Sequence, residues 1–384
     1  MTLSYRPADE APLRLPPAGD LTALRSATRR FVEKELATGG FRPQVDSWMS
    51  GFDRDFSRRA AAAGFVGMTV PTEYGGQGRT YLERFVVTEE LLAAGAPVAA
   101  HWFADRQIAP GLLKHGTDAQ KKRYLPAIAA GELAFSIGMS EPEAGSDLAA
   151  VATRGRRTRG GWHVSGRKVW TSHAHRADFL LALVRTDPKS RRHDGLSQVL
   201  VDLRAPGVNI SPIVSLHGRH DFNEVVLDDV FIPDHQVLGV VGEGWQQVIA
   251  ELGYERSGPE RFLSVQPVLE LCADAVRAGD FAPTPALGRN LARVIALHHA
   301  SAQVAVKLSS GESADFESSV VKLLGTMTEG DVLEDLAYAL NAGEHSASLR
   351  DTLDEALLAR PGFTLRGGTN EILRGIVARI LGLR

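Results

Sequence analysis

The sequence of 384 residues predicts an α+β protein of three domains, and two features of its residue pattern support this class. Apolar residues recur at helical spacing from Asp20 to Ala134 and again from about Gly244 to Arg384. Between these segments, from Phe135 to about Leu238, short strand-like runs alternate with turn-rich stretches, and no helical pattern intervenes. This order favours an antiparallel sandwich or barrel between two helical domains over a doubly wound sheet.

The changes in pattern also predict where the domains begin and end. Residues 1–19 contain four prolines and few apolar runs, which is typical of a loose N-terminal arm. The N-terminal helical domain is expected over residues 20–134, the middle β domain over residues 135–240, and the C-terminal helical domain over residues 241–384.

Capping residues and apolar spacing place the elements within these domains. Asp20 and Thr117 can each cap the start of a helix in the N-terminal domain. Gly166 is expected to break the sheet pattern between two short strands. The predicted strands of the middle domain are Trp162–Ser165, Lys168–Trp170, Phe179–Val184, Val199–Val201 and Glu224–Leu227.

The C-terminal domain has the longest helical pattern of the chain. An apolar stripe runs from Leu287 to Leu308, and another helix is predicted through Val320 and past Leu333. Pro361-Gly362 is expected to end the next segment, and Glu371–Leu383 is predicted as the last helix.

Composition excludes several classes of function. The chain has 43 Lys and Arg against 46 Asp and Glu, so a nucleic-acid partner is not expected. One cysteine, Cys272, excludes an intrachain disulfide and a multi-cysteine metal site, and no histidine cluster has ligand spacing, so no metal is predicted. The sequence shows no apolar run that could span a bilayer and no signal-peptide pattern, which predicts a cytoplasmic protein without a membrane partner.

Two motifs of the middle domain can bind a planar ring. The segment Phe135–Asp147 ends a strand in a loop with small hydroxyl residues and exposed amides, which can donate hydrogen bonds to a heteroaromatic ring or a phosphate. Lys168–Ser172 offers an indole face beside a hydroxyl, which suits stacking against an isoalloxazine. Trp170 alone is more typical of a core residue, and the two motifs together favour a cofactor site.

On these motifs the chain resembles the acyl-CoA dehydrogenase family of flavoproteins, over nearly its whole length. The matching segments are Val70–Gly78, Gly138–Asp147, Lys168–Ser172, Glu224–Pro233, Gly242–Trp245 and Gly367–Ile372. The resemblance implies an N-terminal helical domain, a middle β domain and a C-terminal four-helix bundle. It also implies FAD as the cofactor and an acyl thioester, of CoA or an acyl carrier protein, as the substrate.

The resemblance implies roles for individual residues. Ser146 and Arg256 match positions near the substrate. The residues that match cofactor-binding positions are Ile137, Met139, Ser140, Gly145 and Ser146 along the flavin ring, Trp170 and Ser172 on its other side, and Thr369 and Glu371 near the adenine end.

In the family, a carboxylate removes the α proton of the thioester while the β hydrogen leaves as hydride to flavin N5. The usual position of this base reads Gly367 here. A minority of the family carries the glutamate at the position matched by Glu255, which is therefore the expected base. The alternative is that Glu255 only pairs with Arg256 or another cation.

Three functions remain open on the sequence. The first is an acyl thioester dehydrogenase that passes its electrons to an electron-transfer flavoprotein or a similar acceptor. The second is a flavin oxidase or monooxygenase on the same scaffold, and the third is a non-catalytic subunit of a heteromeric dehydrogenase. The resemblance and the stripe from Leu287 to Leu308 predict a homodimer or homotetramer, with a heteromer as the alternative.

Overall fold

The computed structural model of the chain describes residues 15–340 and 345–383. Most of the expected N-terminal arm therefore lies outside the described residues. Within these ranges the chain folds in the predicted order, with a helical segment, a sheet and a second helical segment. No helix of the described ranges is long and apolar enough to cross a membrane.

The N-terminal helices begin where the capping residues predict. The carboxylate of Asp20 accepts a hydrogen bond from the amide of Ala23 at 2.9 Å, and Thr117 forms a capping box with Gln120. A π-helical turn, Ala104–Ile108, connects α5 (Ala99–Phe103) to α6 (Ala109–His115). The helices are α1 (Leu21–Ala37), α2 (Ser47–Ser50), α3 (Arg54–Ala62), α4 (Tyr81–Ala93), α5 (Ala99–Phe103), α6 (Ala109–His115) and α7 (Asp118–Ala129).

The middle segment forms one sheet of eight strands. The strands are β1 (Phe135–Gly138), β2 (Arg154–Thr158), β3 (Gly161–Ser172), β4 (Phe179–Arg185), β5 (Leu196–Asp202), β6 (Val208–Ile213), β7 (Phe222–Pro233) and β8 (Val237–Leu238). Their order in the sheet is β6-β7-β3-β2-β4-β5-β8, with β1 beside β4. The inner positions carry a compact apolar cluster that includes Val164, Leu180 and Val199, all fully buried.

The sheet is mixed, which corrects the expectation of a purely antiparallel domain. β1 runs parallel to β4, and β2 meets β4 in parallel at Arg154 and Arg185. Parallel neighbours need a long crossover connection. The hairpin of β2 and β3 lies between β1 and β4 in sequence and supplies it, a long-range feature that strand spacing does not reveal.

The expected break at Gly166 is also wrong, because β3 continues through it with shifts of register on either side. An added Cβ at Gly166 would lie 2.3 Å from Thr153 Oγ1, so glycine is needed there for the close approach of a neighbouring segment. The signal that predicts a break marks a β-bulge instead.

The C-terminal helices pack around α11 (Asp315–Leu340). This helix contacts α8 (Gly244–Arg256), α10 (Pro285–Ser309), α12 (Ala347–Phe363) and α13 (Asn370–Ile380). Pro361 does not end its helix as expected but lies in the last turn of α12, whose final residue Phe363 is buried in the core. The helices are α8 (Gly244–Arg256), α9 (Gln266–Ala278), α10 (Pro285–Ser309), α11 (Asp315–Leu340), α12 (Ala347–Phe363) and α13 (Asn370–Ile380). Contacts of α8 with β5 and of α10 with α4 bring the three segments together.

Candidate active site

A buried ion pair joins the segment Phe135–Asp147 to the segment Lys168–Ser172. The ammonium of Lys168, on β3, donates to Glu141 Oε1 at 2.8 Å, to the carbonyl of Leu183 at 2.6 Å and to that of Met139 at 3.2 Å. Neither side chain of the pair is more than 6% exposed. The pair therefore fixes the loop after β1 against β3.

The carboxylate of Glu141 is held in its ionised form. It accepts hydrogen bonds from the amides of Ala152 and Thr153 at 2.7 and 3.0 Å. Burial opposes ionisation, but the charge of Lys168 and these donors outweigh it and lower the pKa of this carboxyl. The sequence did not predict this pair, although both residues lie within the two segments that favour a cofactor site.

Trp170 stands out from the end of β3, because a shift of register between Lys168 and Thr171 breaks the pairing there. The indole is 59% exposed and meets the ring of Phe222 edge-on at 5.9 Å. Its φ of 57° lies in the left-handed region, which is costly for a bulky residue and is found at functional sites. Trp170 is therefore an exposed residue and not part of the core, the alternative that its residue type alone favours.

The loop after β1 presents the other residues expected at the flavin ring. Gly145 and Ser146 are exposed at its tip, and the carbonyl of Ser140 accepts from the amide of Val169, which ties the loop to β3 beside Trp170. Met139 packs against a cluster that includes Val151, Leu183 and Val248.

Ile137 and Ser172 lie where β1 and β3 approach each other. Ile137 is half-buried in β1, and the carbonyl of Ser172 accepts a hydrogen bond from Ser136 Oγ at 2.7 Å. The structure therefore brings Ile137, Met139, Ser140, Gly145, Ser146, Trp170 and Ser172 to one end of the sheet.

Glu255 and Gly367 meet at one point, although they come from α8 and from the loop before α13. An added Cβ at Gly367 would lie 3.0 Å from Glu255 Oε1 and 3.1 Å from a guanidinium nitrogen of Arg261. The backbone of Gly367 has a φ of 66°. Glu255 and Gly367, the two positions that the resemblance matches to the family's base, are thus neighbours in space. The carboxylate of Glu255 lies where a side chain at residue 367 would extend.

Arg261 is the nearest cation to Glu255. Its Nη2 donates to Glu255 Oε1 at 3.3 Å and to the carbonyl of the same residue at 2.9 Å. Its guanidinium is 1% exposed and lies over the ring of Trp48 at 5.0 Å. The alternative to a catalytic role, that Glu255 pairs with Arg256 or another cation, therefore has its cation in Arg261.

Arg256 instead holds the loop that carries Gly367. Its Nε donates to the carbonyl of Gly367 at 2.8 Å, and burial lowers the pKa of its guanidinium. Lys322 of α11 also holds this loop, because its ammonium donates to the carbonyl of Gly368 and to Asn370 Oδ1, both at 2.8 Å. Nothing in the sequence distinguishes Lys322 from an ordinary surface lysine.

Thr369 and Glu371 belong to this second cluster, at the start of α13. The hydroxyl of Thr369 caps the helix by accepting from the amide of Ile372 at 3.4 Å. Glu371 is exposed in the first turn, where backbone and side-chain donors lower the pKa of its carboxyl. Their expected contact with an adenine group stays a prediction.

Comparison with known proteins agrees with this architecture. The family model for the N-terminal domain of acyl-CoA dehydrogenases matches residues 19–132, and that for the middle domain matches residues 136–230. Acyl-CoA dehydrogenase FadE26 of Mycobacterium tuberculosis is 34% identical, and the match covers 100% of this chain and 99% of that protein.

Two further relatives are similar over most of this chain. FadE34 of Mycobacterium tuberculosis is 34% identical over 94% of this chain but only 52% of its own length, so the chain spans about half of it. A solved structure named as the Tcur3481-Tcur3483 steroid ACAD has a TM-score of 0.84 and 30% identity, and the match covers 96% of this chain and 98% of that one.

The relatives named as dehydrogenases identify the class of this protein as oxidoreductase. Its chain has a sheet between two helical segments in sequence, and a glutamate lies where α8 meets the loop before α13. More particularly, the chain belongs to the acyl-CoA dehydrogenase family. Enzymes of this family depend on FAD and act on acyl-CoA thioesters.

Proposed function

We propose that this chain oxidises an acyl thioester, of CoA or an acyl carrier protein, between its α and β carbons with FAD as cofactor and Glu255 as the base. The observation that carries the proposal is the position of the Glu255 carboxylate against Gly367. A glycine at the usual base position leaves room for a glutamate from α8, and the chain places one there. An electron-transfer flavoprotein or a similar acceptor would then collect the electrons.

The residues at the end of the sheet fit a flavin. The exposed indole of Trp170 offers one face to a planar ring, and Thr171 Oγ1 beside it is buried without a hydrogen-bond partner among the described residues. An added Cβ at Gly145 meets open space, so the loop tip can approach a ligand closely. When bound, FAD supplies the hydride acceptor of the reaction.

The protein's own residues handle the proton. Glu255 is proposed to accept the α proton of the thioester, and its carboxylate is 22% exposed, so a ligand can reach it. Arg261 donates to the carboxylate and to the backbone carbonyl of Glu255 and so holds this residue in place. Arg256 fixes the neighbouring loop through the carbonyl of Gly367. Arg256 and Ser146 remain the proposed contacts for the thioester.

The test is the substitution Glu255→Gln, which keeps the shape of the side chain and removes its basicity. We expect it to retain FAD and to slow anaerobic flavin reduction at least ~100-fold, the low end of general-base contributions. The substrate panel contains straight-chain acyl-CoA thioesters and a steroid acyl-CoA, because one relative is named a steroid enzyme.

The control is Glu33→Gln, the same chemical change at an exposed position of α1. Flavin reduction by Glu255→Gln at nearly the control rate would show that Glu255 is structural. Rapid consumption of oxygen by the reduced wild-type protein would identify an oxidase and contradict the dehydrogenase assignment.

We further propose that the chain assembles with a second subunit, identical or not. Leu291 and Ile295 on α10 are 43% and 59% exposed, which leaves an apolar face that an assembly would cover. The length of FadE34 and the paired name Tcur3481-Tcur3483 support a partner of the same fold but different sequence.

A further inference from the structure

A narrow cavity lies between α6, the strands β4 and β5, and α8. Leu181 of β4 lines it, and this residue pairs in the sheet with Ile137, one of the residues expected at the flavin ring. Tyr254, the residue before Glu255, lines it from the other side. The cavity therefore adjoins both the proposed base and the proposed flavin site.

The wall of this cavity is more polar than an acyl chain requires. Gln107, Gln198, Gln247 and Glu251 line it, and each is between 1% and 8% exposed. Burying a polar group without a partner costs free energy, so side chains of this kind are normally satisfied. Gln198 and Glu251 are partners of each other, so Gln107 and Gln247 are the two side chains that need an explanation.

Two of these side chains have an amide oxygen without a partner. Within the described residues, the oxygens Gln107 Oε1 and Gln247 Oε1 are buried and accept no hydrogen bond. Gln247 uses its Nε2 to donate to the carbonyl of Leu238 at 3.0 Å, which fixes the orientation of its amide. Both oxygens are acceptors, so the missing partner must be a donor.

Glu251 provides a donor at the same wall. Its Oε2 accepts from Gln198 Nε2 at 3.0 Å. Burial, reinforced by the charge of Glu255, raises the pKa of its carboxyl to about 8, whereas Gln198 lowers it. The raised pKa favours the protonated form of this carboxyl, which carries an O–H group.

We propose that this cavity binds a hydroxyl group on the acyl part of the substrate, an inference that rests on the proposed thioester oxidation. A hydroxyl can donate to the oxygen of Gln107 or Gln247 and accept from the protonated Glu251. A methyl terminus could not donate to either glutamine oxygen, and a ketone could only accept. The free space of the cavity, about 10 Å³, is enough for one water-sized group such as this hydroxyl.

The test compares matched pairs of ligands on the FAD-loaded protein. One pair is a straight-chain acyl-CoA and its terminally hydroxylated counterpart, over a series of lengths, and the other is a steroid acyl-CoA with and without a ring hydroxyl. Dissociation constants come from calorimetry, and flavin reduction is recorded separately. We expect a hydroxylated member to bind about tenfold more tightly than its partner, the effect of one good hydrogen bond.

Variants assign the effect to the cavity. Glu251→Leu and Gln107→Leu should each reduce the preference for the hydroxylated member to about onefold. Glu33→Gln is the control, because it removes a carboxylate at an exposed position far from the cavity in sequence. Thermal melting verifies that each variant is folded, and the wild-type comparison stands without them.

The outcomes separate this inference from the proposed function. Flavin reduction by acyl-CoA without any gain from a hydroxyl overturns the inference alone, as does a crystal in which the cavity holds only an ordered water beside bound substrate. A hydroxyl preference in binding without flavin reduction supports the inference and contradicts the proposed function. Failure of every thioester to bind or to reduce flavin overturns both.

Discussion

At the scale of single residues, Gly367 and Glu255 show how one position depends on another. Gly367 has a positive φ, and its missing side chain leaves the space that the Glu255 carboxylate fills. A side chain at residue 367 is therefore excluded for two reasons, the backbone conformation and the contact. The two reasons can be separated by experiment.

Gly367→Ala should slow flavin reduction, because its Cβ would lie 3.0 Å from Glu255 Oε1 and displace the carboxylate. It should also lower the free energy of unfolding by about 1 kcal/mol, the cost of a left-handed residue with a Cβ. Gly279→Ala is the control, since Gly279 has a φ of 83° and open space around it. Equal rates of flavin reduction in the two variants would contradict the proposed role of the contact.

A second residue-scale feature is Glu329 of α11, a buried carboxyl far from the surface. Its Oε1 accepts from the amide of Ser264 at 2.7 Å, and burial raises its pKa to about 8 from an ordinary 4.5. The folded protein thus keeps a proton that the unfolded chain releases. Stability from this group is full below pH 4.5 and is lost as the pH rises towards about 8.

Glu329→Gln should therefore flatten the fall of stability across this pH range. One group contributes at most about 1.4 kcal/mol per pH unit to that slope. Glu251 shifts in the same direction and keeps its share, so only the difference between wild type and variant is informative. Denaturant unfolding at several pH values measures the slope, and an unchanged slope would show that Glu329 is ionised in the folded protein.

At the scale of elements, the loop after β1 depends on β3 for its position. Lys168 donates to Glu141 and to two carbonyls of neighbouring segments, so one buried ammonium connects β1, β3 and β4. Removal of one member of a buried ion pair leaves the other charge unpaired, which is strongly destabilising. We expect loss of the pair to weaken FAD binding, because this loop carries Met139, Ser140, Gly145 and Ser146 of the proposed flavin site.

Lys168→Met should lower stability by about 3–5 kcal/mol and weaken retention of FAD. The double variant Glu141→Gln with Lys168→Met should recover part of the stability, because no buried charge then remains. Arg167→Met, at an exposed neighbour on β3, is the control. Melting temperature and flavin absorbance of the desalted protein measure both effects, and a yellow, fully stable Lys168→Met protein would refute the role of the pair.

At the scale of the whole molecule, the apolar face of α10 predicts an assembly. Light scattering of the FAD-loaded protein should give the mass of a dimer or a dimer of dimers. Ile295→Asp should shift it towards the monomer, because a charge would be buried in the interface. Asp331→Asn, at an exposed ion pair with Arg293, is the control. A stable wild-type monomer with full FAD occupancy would contradict the assembly.

The sequence by itself determined the order of the helical and sheet segments, the caps at Asp20 and Thr117, and the family. These features depend on residue periods, on hydrogen bonds between close neighbours, and on motifs that are continuous in the chain. The resemblance also indicated Glu255 as the base, but the sequence did not show which residues surround its carboxylate.

Only the tertiary structure decided that Glu255 lies against Gly367, that Lys168 is neutralised by Glu141, and that Glu251 shares a cavity with Gln107. It also decided the parallel pairing of β1 with β4. Each of these relations joins residues that are far apart in the chain. Such contacts are set by the packing of whole elements, and no local period or capping signal encodes that packing.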